Sequence, residues 1–352
     1  MSDEFLLYGA NGFVGEVIAR LAVQRGLKPT LAGRNAARVQ ALAQELGRPS
    51  RVFRLDDSAG MDKALREVPV VLNCAGPYVN TATPMVDGCL RTGTHYLDLS
   101  GGIVDYEAIA ARDAEAKAKQ VMLLPGVGFD VVPTDCLALH LKERLPSATH
   151  LRLAFCIRGP SKLPPGTLNT MLDGMTRYKP GAIVRRNGQL ESVPPEWREV
   201  DFGKGPVRVV RSTWGDVFSS FYSTGIPNME EYIGYSEQQV RQMGSLRKLG
   251  PLLKLPFVQN YIRRQVPTGP TAEERAQART LVWGEVEDDR GHKAVSRLCG
   301  PEGGVTWTSM AAVAAVQKVL EGHAPPGYQT PAKAYGPDFG LECEGVTRED
   351  DN

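Results

Sequence analysis

The sequence predicts a doubly wound α/β fold, a parallel sheet with helices on both faces, into which an α+β unit with an antiparallel sheet is inserted. Three observations predict it. Up to Leu124, short apolar runs alternate with segments of helical spacing, the pattern of parallel strands joined by crossover helices. Polar residues do not interrupt those runs, as strands covered on both faces require. Beyond Pro125 the punctuation changes to hairpin signals such as Asn187-Gly188, which belong to antiparallel pairs.

The first strand, Phe5–Tyr8, runs into a glycine-rich turn and then an amphipathic helix, Glu16–Arg25; a second apolar stretch ends at Gly33. Ala36–Leu46 has helical spacing, Arg51–Leu55 reads as a strand, Met61–Glu67 as a helix and Val68–Ala75 as a buried strand. Ala82–Arg91 follows as a helix, His95–Leu99 as a strand, Val104–Gln120 as one Ala/Glu/Lys-rich helix and Val121–Leu124 as a strand. Thr134 is the expected N-cap of a helix through about Leu145. His150–Arg158 has a β pattern and Gly166–Arg177 a helical one. Asn187-Gly188 lies between Val184 and Val193, and a second turn, Asp289-Arg290-Gly291, lies between Leu281–Val286 and Lys293–Leu298. The last long helix, Thr308–Leu320, is apolar enough to pack back on the first unit. A chain of 352 residues is long for one core, so two domains are expected: residues 1–130 with 306–352, and an inserted unit over 131–305.

The strand, glycine turn and helix at the start carry most of the functional signal. Gly9 allows a sharp turn off the strand, Gly12 lets backbone approach a pyrophosphate, and Gly15 lets the helix sit close on the sheet. Unpaired N–H groups at the start of that helix, with its positive dipole end, then meet phosphates, so Ala10, Asn11, Phe13 and Val14 join the three glycines as expected cofactor contacts. The end of the second strand selects the dinucleotide. NAD sites place a carboxylate there for the ribose 2′-hydroxyl, whereas an Arg accommodates a 2′-phosphate. Here the residues are Gly33, Arg34 and Asn35, with Arg38 one turn further, and no carboxylate is present. NADP is therefore expected, because a guanidinium fork matches phosphate oxygens.

Composition sets the outer bounds. Apolar residues make up 42%, charged residues 23%, and the formal net charge is +1, which describes an ordinary globular chain with no electrostatic footprint for nucleic acid. Six cysteines, at 74, 89, 136, 156, 299 and 343, form no C-x-x-C pair, so reduced thiols in a cytoplasmic compartment are expected. The five histidines show no metal-ligand spacing, so no metal is expected. The N-terminus has no secretory pattern, and no apolar run is long enough to span a bilayer. Residues 241–264 hold six Arg or Lys and no Asp or Glu, interleaved with leucines and broken by Pro251 and Pro256. That stretch could be a lid, a packed hairpin with a basic edge, or a contact with a membrane surface.

Several motifs together resemble one family. Tyr8-Gly-Ala-Asn-Gly-Phe-Val-Gly15, Leu31-Ala-Gly-Arg-Asn35, Val71-Leu-Asn-Cys-Ala-Gly-Pro-Tyr78, His95-Tyr-Leu-Asp-Leu-Ser-Gly101 and Gly128-Phe-Asp-Val-Val-Pro-Thr-Asp135 are similar, in order and spacing, to the saccharopine dehydrogenase-like oxidoreductases, which include the trans-acting enoyl reductases. The resemblance implies a Rossmann-like NADP domain, an inserted α+β domain able to form a homodimer interface, and a small-molecule cleft between them. It does not imply saccharopine as substrate, since the cleft arginines that a polycarboxylate needs fall on no matching motif here.

The candidate chemistry sits at the strand ends. Ala75, Gly76 and Pro77 should line the nicotinamide ribose with Tyr78 facing the cleft, and Asp56, after the third strand, should contact adenine. Asp98 and Asp130 should lie on the cleft rim, where a carboxyl orients substrate or relays a proton, although Asp beside Gly also caps helices and turns. Tyr78, Asp130 and Asp98 are thus the catalytic candidates. No Tyr-x-x-x-Lys occurs, which removes the usual acid of short-chain dehydrogenases. The expectation is an NADP(H)-dependent oxidoreductase acting on a carbonyl, imine or polarised alkene. Its rivals are a non-catalytic NADP-binding sensor and a peripheral, lipid-associated enoyl reductase.

Overall fold

The computed structural model describes residues 3–160, 181–234 and 269–351, together with Leu255 and Val258. The first sheet contains β1 (Glu4–Tyr8), β2 (Lys28–Gly33), β3 (Ser50–Val52), β4 (Val70–Asn73), β5 (His95–Asp98) and β6 (Met122–Leu124), with a two-residue strand, Gly327–Tyr328, at one edge. Their order across the sheet is Gly327–Tyr328, β6, β5, β4, β1, β2, β3, and all pairs are parallel. The direction of winding reverses between β1 and β4, which opens a crevice beyond their carboxyl ends. Burial on both faces explains the unbroken apolar runs: Phe5, Leu6 and Leu7 of β1 and Val70, Val71 and Leu72 of β4 have no exposure.

The helices follow from local patterning. In α1 (Phe13–Gln24) Gly15, Ile18, Ala19 and Ala22 are buried, the i, i+3, i+4, i+7 stripe of a helix lying on a sheet. In α2 (Ala36–Leu46) Asn35 caps the start through its side chain and Gly47 ends it in the left-handed region. Then come α3 (Ser58–Leu65) and α4 (Tyr78–Thr92), which starts one turn earlier than its spacing suggests. The expected helix 104–120 is instead two, α5 (Ile103–Ala110) and α6 (Asp113–Ala118). The break lets Asp113 Oδ1 accept the Tyr328 N–H at 2.8 Å, which ties α6 to the edge strand.

The second sheet contains β7 (His150–Arg158), β8 (Ala182–Arg186), β9 (Gln189–Val193), β10 (Trp197–Asp201), β11 (Pro206–Arg211), β12 (Asn228–Gly234), β13 (Arg279–Glu287) and β14 (Lys293–Gly300). Both expected hairpins form, the first through Asn187 and Gly188, whose φ values of 47° and 79° suit a two-residue turn. The sheet is mixed rather than antiparallel throughout, because β12 lies parallel to β7. The last strand, Thr347–Asp350, adds to β14, so the end of the chain joins the second sheet and not the first. Residues 166–177, expected to be helical, and all but two residues of 241–264 lie outside the described residues.

The two sheets share one core. Helix α7 (Val132–Arg144) packs on β13, β14 and the helix Asp216–Thr224, while Thr308–Leu320 packs on α1 and β4. Helix α7 begins at Val132 with Val131 as its cap residue, so Thr134 is not the N-cap; its hydroxyl is used on a side chain of the second unit. An aromatic joint closes the contact: Phe129, after β6, meets Phe155 of β7 edge-on at 5.4 Å and Trp307 at 5.5 Å, and Phe155 meets Trp214 at 5.0 Å. Trp307 has no exposed surface. Trp307→Ala should therefore cost about 3–5 kcal/mol, read as a lower denaturant midpoint; a change below about 1 kcal/mol would show that the joint is not a core element.

Candidate functional site

At the reversal point, β1 and β4 meet backbone to backbone. Gly9 sits at φ +81°, and a Cβ there would lie 2.8 Å from the Ala75 nitrogen and 2.9 Å from the Cys74 carbonyl carbon. No side chain fits. A Cβ on Gly15 would come within 2.3 Å of the Gly9 oxygen, so this glycine sets the approach of α1 to the turn. Gly12 differs: it is exposed, its nearest neighbour for an added Cβ is the Gly9 oxygen at 3.2 Å, and it caps α1 with no side chain of its own. The N–H groups of Phe13, Val14 and Gly15 in the first turn have no helical acceptor and face the space above Gly12.

The end of β2 carries two exposed guanidinium groups, Arg34 and Arg38, neither in an ion pair among the described residues. Gly33 lies under Asn11, whose Oδ1 would be 2.9 Å from an added Cβ. Asn35 spends its Oδ1 on the Arg38 N–H at 3.1 Å, a capping bond. Asp56 is exposed and held by Arg54 at 2.9 Å, a pairing that keeps its carboxyl below the usual range. Burial raises the Tyr8 hydroxyl while Arg34 and Arg54 pull it down, so both arginines stand near the end of β1. Sequence reasoning missed Arg54, although it lies two residues before Asp56.

Beyond β4, Asn73 Oδ1 accepts the Ala75 N–H at 3.1 Å and the Thr81 hydroxyl donates to the Ala75 carbonyl at 2.6 Å, which fixes the turn. The Gly76–Pro77 bond is cis. Tyr78 is the first residue of α4; burial, with Cys74, Asp98, Asp130 and Asp105 nearby, pushes its hydroxyl well above the ordinary value and keeps it a neutral donor. Cys74 is half-buried, and burial raises its thiol, which removes nucleophilic character.

Asp98 and Asp130, alike in sequence, differ in place. Asp98 is fully buried: Oδ2 accepts the Tyr96 hydroxyl at 2.6 Å, and Oδ1 accepts the Ser100 N–H, the Ser100 hydroxyl and the Gly126 N–H at 2.9, 2.7 and 2.9 Å. That geometry is an anchor for the β5 and β6 loops. Asp130 is half-buried beside Gly101, with Oδ2 2.9 Å from where a Gly101 Cβ would lie, and its carboxyl has no hydrogen-bond partner among the described residues. Burial pushes it up to about 6. Its backbone carbonyl accepts the Trp214 indole N–H at 2.7 Å, which brings the second unit to the rim. Two further carboxyls, Asp216 and Glu231, lie close behind Asp130 and are raised by it and by burial. No motif announced them. Among the described residues no cluster of side chains suits a metal ion, and no helix is long and apolar enough to cross a membrane.

The family pattern of the saccharopine dehydrogenase NADP-binding domain matches residues 5–124. Residues 5–124 are thus similar to domains of this type. A saccharopine dehydrogenase-like oxidoreductase of Mus musculus is 28% identical over 160 residues, 40% of this chain and 37% of the relative. A trans-acting enoyl reductase of Mycobacterium ulcerans is 30% identical over 149 residues, 40% of this chain and 36% of the relative. The chain thus spans less than half the length of these relatives. The apo saccharopine dehydrogenase (L-Glu forming) of Saccharomyces cerevisiae shares the fold, with a TM-score of 0.66 at 15% identity over 99% of this chain and 100% of that one.

NADP is the cofactor of a saccharopine dehydrogenase-type domain, and the residues fit it. The open N-terminus of α1 over Gly12 suits the pyrophosphate, and the unpaired Arg34 and Arg38 suit a 2′-phosphate. Gly12→Val should therefore abolish NADPH binding and leave circular dichroism unchanged, because the added atoms enter ligand space and press only on the Gly9 oxygen, at 3.2 Å from the new Cβ. Gly15→Val should destabilise the fold itself, by ~1–3 kcal/mol or more. Equal behaviour of the two variants would show that Gly12 does not face the cofactor.

Proposed function

We propose that the protein is an NADP(H)-dependent oxidoreductase that moves hydride between the nicotinamide and a carbonyl, imine or polarised alkene. The observation that carries this is the pair Tyr78 and Asp130, polar groups whose side-chain oxygens have no hydrogen-bond partner among the described residues, beside the crevice where the cofactor cradle ends. NADPH, when bound, supplies the hydride. Gly12 and the first turn of α1 hold the pyrophosphate, Arg34 and Arg38 hold the 2′-phosphate, and the Ala75–Pro77 turn bounds the ribose. Tyr78, kept neutral by burial, donates a hydrogen bond to the substrate atom that gains negative charge. Asp130 gives that atom a proton in reduction and takes one back in oxidation. Asp98 acts through position, by holding the two loops that carry Ser100 and Asp130. The division we propose for this work places the cofactor on residues 1–130 with 306–346 and the substrate pocket on the inserted unit.

Arg34→Asp should reverse the preference for NADPH over NADH, since a charge-assisted contact contributes roughly 1.5–3 kcal/mol. Titration calorimetry with both cofactors checks it; an unchanged preference would remove Arg34 from the 2′-phosphate site. Asp130 has a sign that can be worked out. Its acid form serves reduction, so reductive turnover should fall on the alkaline side while oxidation rises there. Asp130→Asn should lower reductive turnover about 10²–10⁴-fold and erase that alkaline limb with NADPH affinity kept. Wild-type turnover in this variant would assign proton delivery to another group.

A further inference from the structure

Adjacent glutamates of β12 have opposite surroundings. Glu230 is bonded to Arg186, Arg211 and the Tyr232 hydroxyl. Glu231, on the other face, is fully buried, and neither of its oxygens meets a donor among the described residues. Its near neighbours are two more acids, Asp216 and Asp130. Asp216 is itself fully buried at the start of the helix Asp216–Thr224; Oδ1 accepts the Thr134 hydroxyl at 2.8 Å and Oδ2 meets nothing. The Ser219 and Ser220 hydroxyls, one turn along that helix, are also buried without partners.

Among the described residues no cation is bonded to these carboxyls. From α7, Asp135 and Cys136 face the helix, and Asp135 is already bonded to the Ser223 hydroxyl at 2.6 Å and the Ala332 N–H at 2.8 Å. From α5, Tyr106 gives its hydroxyl to the Ser100 carbonyl. From β8, Arg185 gives its Nε–H to the Val217 carbonyl and an Nη1–H to the Gly188 carbonyl, and from the helix Pro331–Tyr335, Lys333 donates to the Tyr328 carbonyl. Two carboxylates facing each other out of water, with one hydroxyl donor between them, cannot both stay ionised; one must carry a proton and become the missing donor.

We propose that Asp216 and Glu231 form a buried acid pair behind Asp130 that shares one proton and whose remaining negative charge favours the acid form of Asp130. The effect on turnover rests on the reductase function proposed above. The Asp130 O–H gives its proton to the substrate atom beside the carbon that gains hydride, and NADPH, when bound, would supply that hydride. Asp130 is then a carboxylate next to the charged pair, and the pair keeps its own proton, because giving it up would leave two ionised carboxylates facing each other out of water. When product leaves and water enters, hydronium reprotonates Asp130, a step that the charge of the pair favours. The pair matters most near neutrality, where Asp130 without it would be almost wholly ionised.

The test uses infrared spectroscopy of the full chain at neutral pH, on wild type and on Asp216→Asn with Glu231→Gln, and NADPH oxidation by a panel of aldehydes, imines and 2-enoyl esters. Wild type should show the C=O stretch of a protonated carboxyl, and the double variant should lose it with NADPH affinity unchanged. The alkaline limb of reduction should move acidward by roughly one unit or more, because the charge that favours the acid form of Asp130 is gone. Should the double variant not fold, Glu231→Gln alone should remove the band, since its amide replaces the shared proton as donor. A wild type without the band, a variant that keeps it, or an unmoved limb would overturn the proposal. A band lost as expected, in a protein that oxidises NADPH with none of the panel, would support the shared proton and overturn its effect on turnover together with the reductase function.

Discussion

The Asp98 carboxylate fixes the geometry on which the cleft depends. Four donors converge on it from Tyr96, Ser100 and Gly126, and it is sealed from water. Burial alone would raise its pKa and favour the neutral acid; the hydrogen bonds oppose that and favour the ion. The bonds also join the ends of β5 and β6, strands whose own pairing is short. Phe129 and Asp130 follow directly from that tie, so the aromatic joint and the rim carboxyl are placed by the same constraint.

From there the second unit is positioned by packing and not by charge. Phe129, Phe155, Trp214 and Trp307 stack across the boundary, and the Trp214 indole reaches back to the Asp130 carbonyl. Gly269 completes the contact on the far side: an added Cβ there would be 2.6 Å from the Phe13 ring. The glycine turn is therefore touched by both units, its phosphate-facing side left open while its Phe13 side is covered. A rigid joint of this kind holds cleft groups from distant parts of the chain in one arrangement, which oriented catalysis requires.

What could be read from the sequence was local or periodic. The β1 turn, the bounds of β7, both hairpins and the helix Thr308–Leu320 follow from residue type and spacing, because glycine geometry, turn chemistry and apolar stripes act within a few residues. What escaped was set by distant partners. Thr134 looks like a cap until Asp216 takes its hydroxyl, and the parallel pairing of β12 with β7 is decided by the crossover between them. Asp98 and Asp130 each stand in a short strand-end motif, yet one is saturated with donors and the other bare, a difference that no spacing encodes. Asp216 and Glu231 sit in unremarked stretches, and only the fold brings them behind Asp130.

The molecule thereby separates two tasks with different physical demands. In the proposed function, cofactor binding would rely on backbone geometry at the ends of β1, β2 and β4, within the matched span 5–124, and need nothing from the second unit except the cover that Gly269 gives Phe13. The proposed proton handling, by contrast, would draw Asp130 from the end of that sheet, Asp216 from a helix and Glu231 from β12, so it would need the two units docked. A side-chain change in the inserted unit can then alter substrate or proton chemistry while the cradle is untouched. A shift at the Phe129 joint would move Asp130 relative to Tyr78 and relative to its buried neighbours at once. In the proposed function the joint, more than any single acid, would couple dinucleotide binding to chemistry.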